Sequence, residues 1–296
     1  MDAALQLKIE LEKGVKFSED QILDFLHKSD LVNELTADFP EKPLPMVWRL
    51  IALSEIPFGW LLEYTQKLIE KVYENLATSY GFSLSGDQKM FLPCYNAMIT
   101  SALCRLDRAN DPEVRNALDW INSHQPMQRG EKVELPGFNF EKYGGCFNKT
   151  PCYIGLAKSV FALNNYKEKS GDSKYDEKLN LGTKYLLEHS FYKRLSNGKP
   201  ITNHITDISF PESYQLNVVE LLRFASSKGL QNHPKTQDLI EFVKNKQTKN
   251  GIWKCTFRYK GDGYVAFDKV GKGEWITFFI QNILKNTPKN LFGFEK

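Results

Sequence analysis

Apolar residues recur at helical spacing along most of the chain. In one stretch they fall at positions i, i+4, i+7, i+8 and i+11, as Tyr214, Val218, Leu221, Leu222 and Ala225. This period is typical of an amphipathic α-helix. A second apolar stripe runs from residue 61 to 76, and prolines at 40, 43 and 45 predict a break between helices. The pattern therefore predicts an all-α chain.

Residues 1–90 carry this pattern less regularly. Ser18 is followed by Glu19 and Asp20 and then by apolar residues at helical spacing. A serine before acidic residues is typical of the N-cap and first turn of a helix. We predict that residues 1–90 form N-terminal helices that complete or cap the structure built by the rest of the chain.

From residue 91 the pattern repeats about every 60 residues. Each repeat opens with a proline or glycine followed by an aromatic residue, and the four aromatics are Tyr95, Tyr153, Tyr214 and Trp275. Their spacings are 58, 61 and 61 residues. Because proline suits the first turn of a helix, each aromatic is predicted to lie near the start of the first helix of its repeat, the inner helix. A period of this length fits two helices with long loops.

The second helix of each repeat, the outer helix, has its own signature. Pro112 and Pro234 open two of these helices, which run through Trp120–Gln125 and Phe242–Gln247 with the aromatic residue five positions before the glutamine. In the middle repeat His189 stands near the place of the glutamine. A lone hairpin cannot bury both its faces, so successive hairpins are expected to pack side by side as one compact domain.

The segment Gln247–Trp253 has the pattern Q-x-x-x-G-x-W. It resembles the QW motif of squalene cyclases, and a degenerate copy begins at Gln125. The motif falls at the same place in its hairpin as the degenerate copy does. Together with the hairpin repeat it makes residues 91–296 similar to the superfamily of terpenoid cyclases and protein prenyltransferases. The resemblance is strongest to small prenyltransferase/squalene-oxidase repeat proteins. The resemblance implies an α/α toroid, a ring of hairpins around a cavity that need not be fully closed.

The chemistry of that superfamily finds few matches in this chain. Squalene-type cyclases protonate an alkene with a D-x-D-D acid, and the sequence contains no D-x-D-D and no D-D-x-x-D cluster for magnesium and diphosphate. Asp207 is the nearest candidate for a catalytic acid, with a loop or cap role as the alternative. Glu212 and Glu274, at predicted helix starts, are the other acidic candidates, and the alternative for both is a first-turn carboxylate favoured by the helix dipole. Protein prenyltransferases bind zinc through Asp, Cys and His and also need a partner subunit. Their ligand pattern has no counterpart in this sequence.

The cysteines offer a different candidate site. Cys94 and Cys152 occupy the same repeat position, and Cys146 precedes the second of them by six residues. Helix N-termini favour thiolates, which bind metals, so these three thiols with His189 are candidate ligands of a tetrahedral zinc. The alternative is that the cysteines pack as small apolar residues.

Composition narrows the class of protein. Apolar residues make up 42% and aromatic residues 13% of the chain, and the net charge is +3, which argues against a nucleic-acid partner. No apolar run approaches the ~20 residues that cross a bilayer, and the N-terminus lacks the core of a signal peptide. With five cysteines and no export signal, we expect reduced thiols and a cytoplasmic protein.

Two functional hypotheses follow from the sequence. The first is an enzyme or carrier for an isoprenoid-like apolar small molecule. The four repeat aromatics would contact this molecule, and Asp207 would act as the acid or the cysteines would bind a metal. The second is a non-catalytic toroid that acts as a binding scaffold. The missing D-x-D-D favours the scaffold, whereas the aromatic and cysteine positions favour a site.

Overall fold

The computed structural model describes residues 1–131, 133, 135, 137–138 and 151–285. Of these residues 56% are helical, so the predicted all-α class is confirmed. Twelve α-helices lie in this part of the chain: α1 Ala3–Glu12, α2 Glu19–His27, α3 Asp30–Thr36, α4 Pro43–Glu55, α5 Glu63–Leu76, α6 Pro93–Arg105, α7 Pro112–His124, α8 Tyr153–Ser170, α9 Asp176–Glu188, α10 Val218–Ser227, α11 Pro234–Asn245 and α12 Glu274–Lys285. Two-residue strands, β1 Ala77–Thr78 and β2 Gly81–Phe82, pair antiparallel after α5.

The described residues divide into two compact units. The first unit contains residues 1–37, 186–260 and 265–285, and the second contains residues 38–185 and 261–264. Residue 91, where the sequence predicts the start of the repeats, lies inside the second unit. Each unit is treated below by itself.

Most helix starts agree with the prediction. Helices α6, α7 and α11 each begin at the expected proline, and α12 begins at Glu274. Ser18 caps α2 in a capping box, since its hydroxyl accepts from the Gln21 backbone N–H while the Gln21 side chain accepts from Ser18. The predicted break after α3 is confirmed, and α4 begins at Pro43.

The predicted start of the third inner helix is wrong. Tyr214 lies in an irregular segment, and α10 begins four residues later at Val218. The reason is the side chain of Asn217, whose oxygen accepts hydrogen bonds from the backbone N–H groups of Val219 and Glu220 and so caps the helix there. Glu212 therefore lies outside the first turn in which we placed it.

In the second unit α6 and α8 form the centre. Every residue of α6 is buried, and so is the first two-thirds of α8, whereas α5 and α7 bury one face each. A helix that is buried on all sides is a core helix, and one that buries a single face lies at the outside of the core. Within this unit α6 and α8 are therefore core helices, and α5 and α7 lie at its outside.

A buried polar group joins the ends of α4 and α6. The Arg105 guanidinium donates to the hydroxyls of Ser54 and Ser101, each at 3.0 Å, and its Nε lies 3.6 Å from Glu55 Oε1. All four side chains are buried. Because buried charge is tolerated only when paired and hydrogen-bonded, this cluster fixes the two helices in register.

Candidate functional site

The glutamine-to-tryptophan segment of the first unit closes the end of α11. The Trp253 indole is buried and its Nε1–H donates to the carbonyl oxygen of Val243 at 2.7 Å. The Gln247 side chain donates from Nε2 to the carbonyl of Gly251 at 2.8 Å, which closes the turn. Gly251 has a φ of +77°, a conformation that favours glycine. The indole, rather than the glutamine, therefore satisfies the helix-end carbonyl.

The same tryptophan fixes the start of α12. Its backbone N–H donates to Thr277 Oγ1 at 2.9 Å, and that hydroxyl donates back to the Trp253 carbonyl at 3.0 Å. A Cβ on Gly273 would lie 1.8 Å from this carbonyl. Only glycine permits this approach, so any larger residue at position 273 would clash with the Trp253 carbonyl.

His189 binds the loop after α9 in the way that Gln247 binds the loop after α11. It follows the end of α9, and its Nδ1–H donates to the carbonyl of Lys193, four residues on, at 2.8 Å. Gln247 spans the same interval to Gly251. Gln125, after α7, donates to the carbonyl of Pro126 at 3.1 Å. Helices α7, α9 and α11 are thus each followed by a side chain that binds the next loop.

Two of the proposed zinc ligands lie close together in the second unit. The position of a Cβ on Gly155 would be 3.9 Å from Cys152 Cβ and 4.0 Å from the backbone nitrogen of Cys94. Cys94 is buried in the first turn of α6, and Cys152 is the N-cap residue of α8. Cys146 lies outside the described residues, and His189 belongs to the first unit. Among the described residues, no three His, Cys, Asp or Glu side chains are grouped so that they could hold a metal ion.

Three of the four repeat aromatics are buried against other rings. Tyr95 packs on Trp48 with ring centroids 5.8 Å apart, and Tyr153 lies 6.2 Å from Tyr185. Burial raises the pKa of the Tyr153 hydroxyl well above its ordinary value, and Tyr185 adds to the effect.

In the first unit Trp275 packs on Phe267 at 4.9 Å. Tyr214, in its irregular segment, is partly exposed. These rings build core contacts within their own units, and their contact with a substrate stays a prediction.

Asp207 pairs with a histidine that the sequence analysis overlooked. His204 Nδ1 lies 2.8 Å from Asp207 Oδ2, and both side chains are partly exposed. The imidazole ring also lies against Phe257, with centroids 4.2 Å apart. Because the carboxylate accepts, Nδ1 carries the proton and Nε2 is left as the basic nitrogen. Within the described part of the chain no hydrogen bond to this Nε2 is present.

The backbone holds this pair in place. Ile208, next to Asp207, exchanges two hydrogen bonds with Thr256: its N–H donates to the threonine hydroxyl at 2.9 Å, and its carbonyl accepts from the threonine N–H at 2.8 Å. Thr256 directly precedes Phe257. The segment with the histidine and the segment with the stacking ring are therefore tied together beside the pair.

A buried thiol lies close to the pair. Burial raises the pKa of the Cys255 thiol, and the carboxylates of Asp268 and Asp207 act in the same direction. Its Sγ lies 3.3 Å from the carbonyl oxygen of Phe257, which accepts from the thiol. A protonated thiol in this setting is a poor nucleophile, so Cys255 is a packing residue.

Asp268 is a cap of α12. Its Oδ1 accepts from the N–H groups of Glu274 and Trp275, at 2.7 and 3.3 Å, and its Oδ2 accepts from Ile276 at 2.9 Å. Burial raises the pKa of this carboxyl, while the three N–H donors lower it. Glu274 is exposed in the first turn, as the helix-dipole interpretation expects.

No protein-family model, curated protein or solved structure matches the chain. Within the described residues no helix has the length and apolar character needed to cross a membrane. Interpretation of the site therefore depends on its own geometry. The sequence signal for it was the pattern H-x-x-D from His204 to Asp207, which is too common to single out without the structure.

Proposed function

We propose that this chain is an α/α-toroid protein of the terpenoid cyclase and prenyltransferase type, in which His204 and Asp207 form an acid–base centre for an isoprenoid-like apolar molecule. The observation that supports the proposal is the 2.8 Å hydrogen bond from His204 Nδ1–H to Asp207 Oδ2. In this arrangement Asp207 positions the histidine, and His204 is the group that exchanges the proton. The role of acid that the sequence suggested for Asp207 is thus assigned to His204.

The physical argument concerns the two nitrogens of one ring. Asp207 fixes the tautomer and the orientation of His204 by accepting from Nδ1, as the carboxylate of a catalytic triad does. Nε2 then has a lone pair that can take a proton from an activated C–H group of a bound isoprenoid, such as one conjugated to a carbonyl, and return it to the same molecule. Phe257 limits the ring's rotation by stacking on its face.

The apolar substrate class is supported by the segment that follows the pair. Phe210 lies 4.7 Å from Phe279 and 5.1 Å from Phe267, measured between ring centroids. The Arg223 guanidinium lies 5.2 Å from the centre of the Phe279 ring. An aromatic group of this kind three residues beyond Asp207 suits a hydrocarbon better than a sugar or a peptide.

The toroid part of the proposal is supported by the succession of hairpins. Helices α6, α8 and α10, which we assign as inner helices, are each followed along the chain by one that we assign as outer, α7, α9 and α11, and α12 follows the third pair. Each outer helix ends in the loop-binding side chain described above. A toroid also supplies the enclosed space that the apolar substrate would need.

Proton transfer can be tested with deuterium. The protein is incubated in D2O with geranylgeranial, whose C–H groups conjugated to the carbonyl are acidic enough to exchange, or with squalene, which has no such group, and the extracted lipid is analysed by mass spectrometry for deuterium bound to carbon. We expect incorporation into geranylgeranial with the wild type, none with His204→Gln, and a strong reduction with Asp207→Asn. The exposed His27 supplies the matched control, because His27→Gln should leave incorporation unchanged. Equal incorporation by wild type and His204→Gln would overturn the role of the pair.

A non-catalytic scaffold is the second candidate function. It is favoured by the burial of Tyr95, Tyr153 and Trp275, whose rings are occupied by core contacts. If no lipid acquires deuterium and neither lipid raises the melting temperature of the protein, the scaffold becomes the better description, because a bound ligand stabilises the folded state.

A further inference from the structure

Two adjacent turns of the first unit present lysines around exposed aliphatic side chains. One turn, Thr248–Ile252, is closed by a hydrogen bond of 2.8 Å between the backbone groups of its end residues, and the turn Lys269–Lys272 is closed in the same way at 2.8 Å. Cys255 joins them, because its N–H donates to the Lys272 carbonyl at 2.7 Å and its carbonyl accepts from Gly271 at 2.9 Å. The two turns therefore lie side by side.

We call the exposed side chains of these turns and their flanks the lysine surface. Its members are Lys246, Lys249, Ile252, Lys254, Lys269, Val270 and Lys272. Val270 is 60% exposed and Ile252 37% exposed. A single exposed aliphatic residue needs no explanation, but here both stand in turns whose flanking positions carry lysines.

The lysine surface is positively charged because few exposed acidic side chains lie near its lysines in the sequence. Between Glu241 and Asp262 the sequence has six lysines and arginines and no acidic residue. The carboxylate of Asp268, next to the second turn, is buried and bound to the N–H groups of α12. Glu274 is the exposed acid that follows. This separation concentrates cationic charge on one surface of a chain whose net charge is only +3.

We propose that the lysine surface docks on an anionic phospholipid membrane, with Val270 entering the headgroup layer. Lysine side chains near anionic lipid are attracted to its negative surface potential, and an aliphatic tip gains by leaving water for the acyl boundary. The combination of both properties in one pair of turns fits a lipid surface. This binding does not depend on the proposed chemistry at His204.

A nucleic acid fits the same surface less well. Single strands are held by aromatic residues that stack on the bases, together with cations, and the exposed apolar members of the lysine surface are aliphatic. Of the aromatic residues beside this surface, Trp253 is buried, the Phe242 ring is covered by Lys246 Nζ at 5.0 Å from its centroid, and Phe257 lies against the His204 ring. Val270 has no ring that could stack on a base, so it would not contribute to binding an oligonucleotide.

The test is co-sedimentation of the full chain with vesicles of phosphatidylcholine, with and without phosphatidylglycerol. We expect binding to the anionic vesicles, weak binding to the neutral ones, and release by high salt. The variant V270S/K272Q should bind at least about tenfold more weakly, because each lysine near the membrane contributes about fivefold and the aliphatic tip adds to it.

The control is the variant L195S/K199Q. It also removes one exposed aliphatic residue and one exposed lysine, from the hairpin between Lys193 and Pro200, and Leu195 is 55% exposed. We expect it to bind like the wild type, and circular dichroism checks that all variants fold. Equal weakening in both variants, binding to neutral vesicles alone, or binding to single-stranded DNA but not to vesicles would overturn the proposal. Histidine variant H204Q should sediment like the wild type, which separates this result from the proposed function.

Discussion

The indole of Trp253 donates a 2.7 Å hydrogen bond to the carbonyl oxygen of Val243 at the end of α11. This carbonyl also accepts from the N–H of Lys246, so removing the indole N–H would not leave it without a donor. Trp253→Phe should nevertheless lower the free energy of unfolding by about 2 kcal/mol, through a lost buried hydrogen bond and lost volume. Urea denaturation measures the change.

The matched control is Gln247→Ala, at the other end of the same segment. Its side chain is exposed, so the loss should stay below about 0.5 kcal/mol. If both variants lost the same stability, the indole would not be the residue that secures this helix end.

Two helical glycines of the second unit predict opposite results from the same substitution. A Cβ on Gly155 would meet its nearest atom at 3.7 Å, which is ordinary contact, whereas one on Gly182 would lie 2.2 Å from Val160 Cγ2. Gly155→Ala should therefore stabilise the protein by about 0.5–1 kcal/mol through helix propensity. Gly182→Ala should destabilise it by about 1–3 kcal/mol through overpacking. Thermal denaturation distinguishes them, and a stabilising Gly182→Ala would contradict the packing of α9 on α8.

The start of α12 should depend on Asp268 rather than on Glu274. Asp268→Ala removes the acceptor of three N–H groups and should cost about 1–2 kcal/mol. Glu274→Ala removes an exposed first-turn charge and should cost at most about 0.5 kcal/mol. Chemical denaturation of the two variants decides between them, and a larger loss for Glu274→Ala would show that the dipole term dominates.

Stability should fall at high pH because of a buried thiol. Burial raises the pKa of Cys104 to about 12, so in the unfolded chain this thiol loses its proton at a lower pH than in the folded protein. The free energy of unfolding is then reduced as pH rises above about 9, by up to about 1.4 kcal/mol per pH unit for one proton.

Cys104→Ala tests this by comparison. Its stability relative to the wild type should be constant below about pH 8 and should improve steadily from about pH 9 to 11. Urea denaturation across this range measures the difference. Parallel curves for the two proteins at all pH values would show that the thiol ionises normally in the fold.

Most helix starts could be predicted from local signals in the sequence, and the grouping of distant segments could not. Proline at Pro93, Pro112 and Pro234 predicted helix starts because its effect on the first turn is local. The same rule failed at Pro211, since the side chain of Asn217 caps α10 downstream. The division into two units depends on contacts between distant parts of the chain, which periodicity does not report.

The candidate site shows the same limit. Asp207 was singled out from the sequence as an isolated acid, and its partner three residues earlier was overlooked. The hydrogen bond between them needs a turn, in which the Asp207 N–H donates to the His204 carbonyl, and the pairing of Ile208 with Thr256. Both are properties of irregular backbone, where no periodic pattern exists to be read.

The first unit is assembled from segments that lie on either side of residues 38–185, and this has a consequence for synthesis on the ribosome. Residues 1–37 are translated before residues 38–185, yet the other described residues of their unit begin at residue 186. Helices α1–α3 therefore lack the rest of their unit while residues 38–185 are translated. During that interval any of their apolar surface that the rest of the unit later covers is open to chaperones and to other nascent chains.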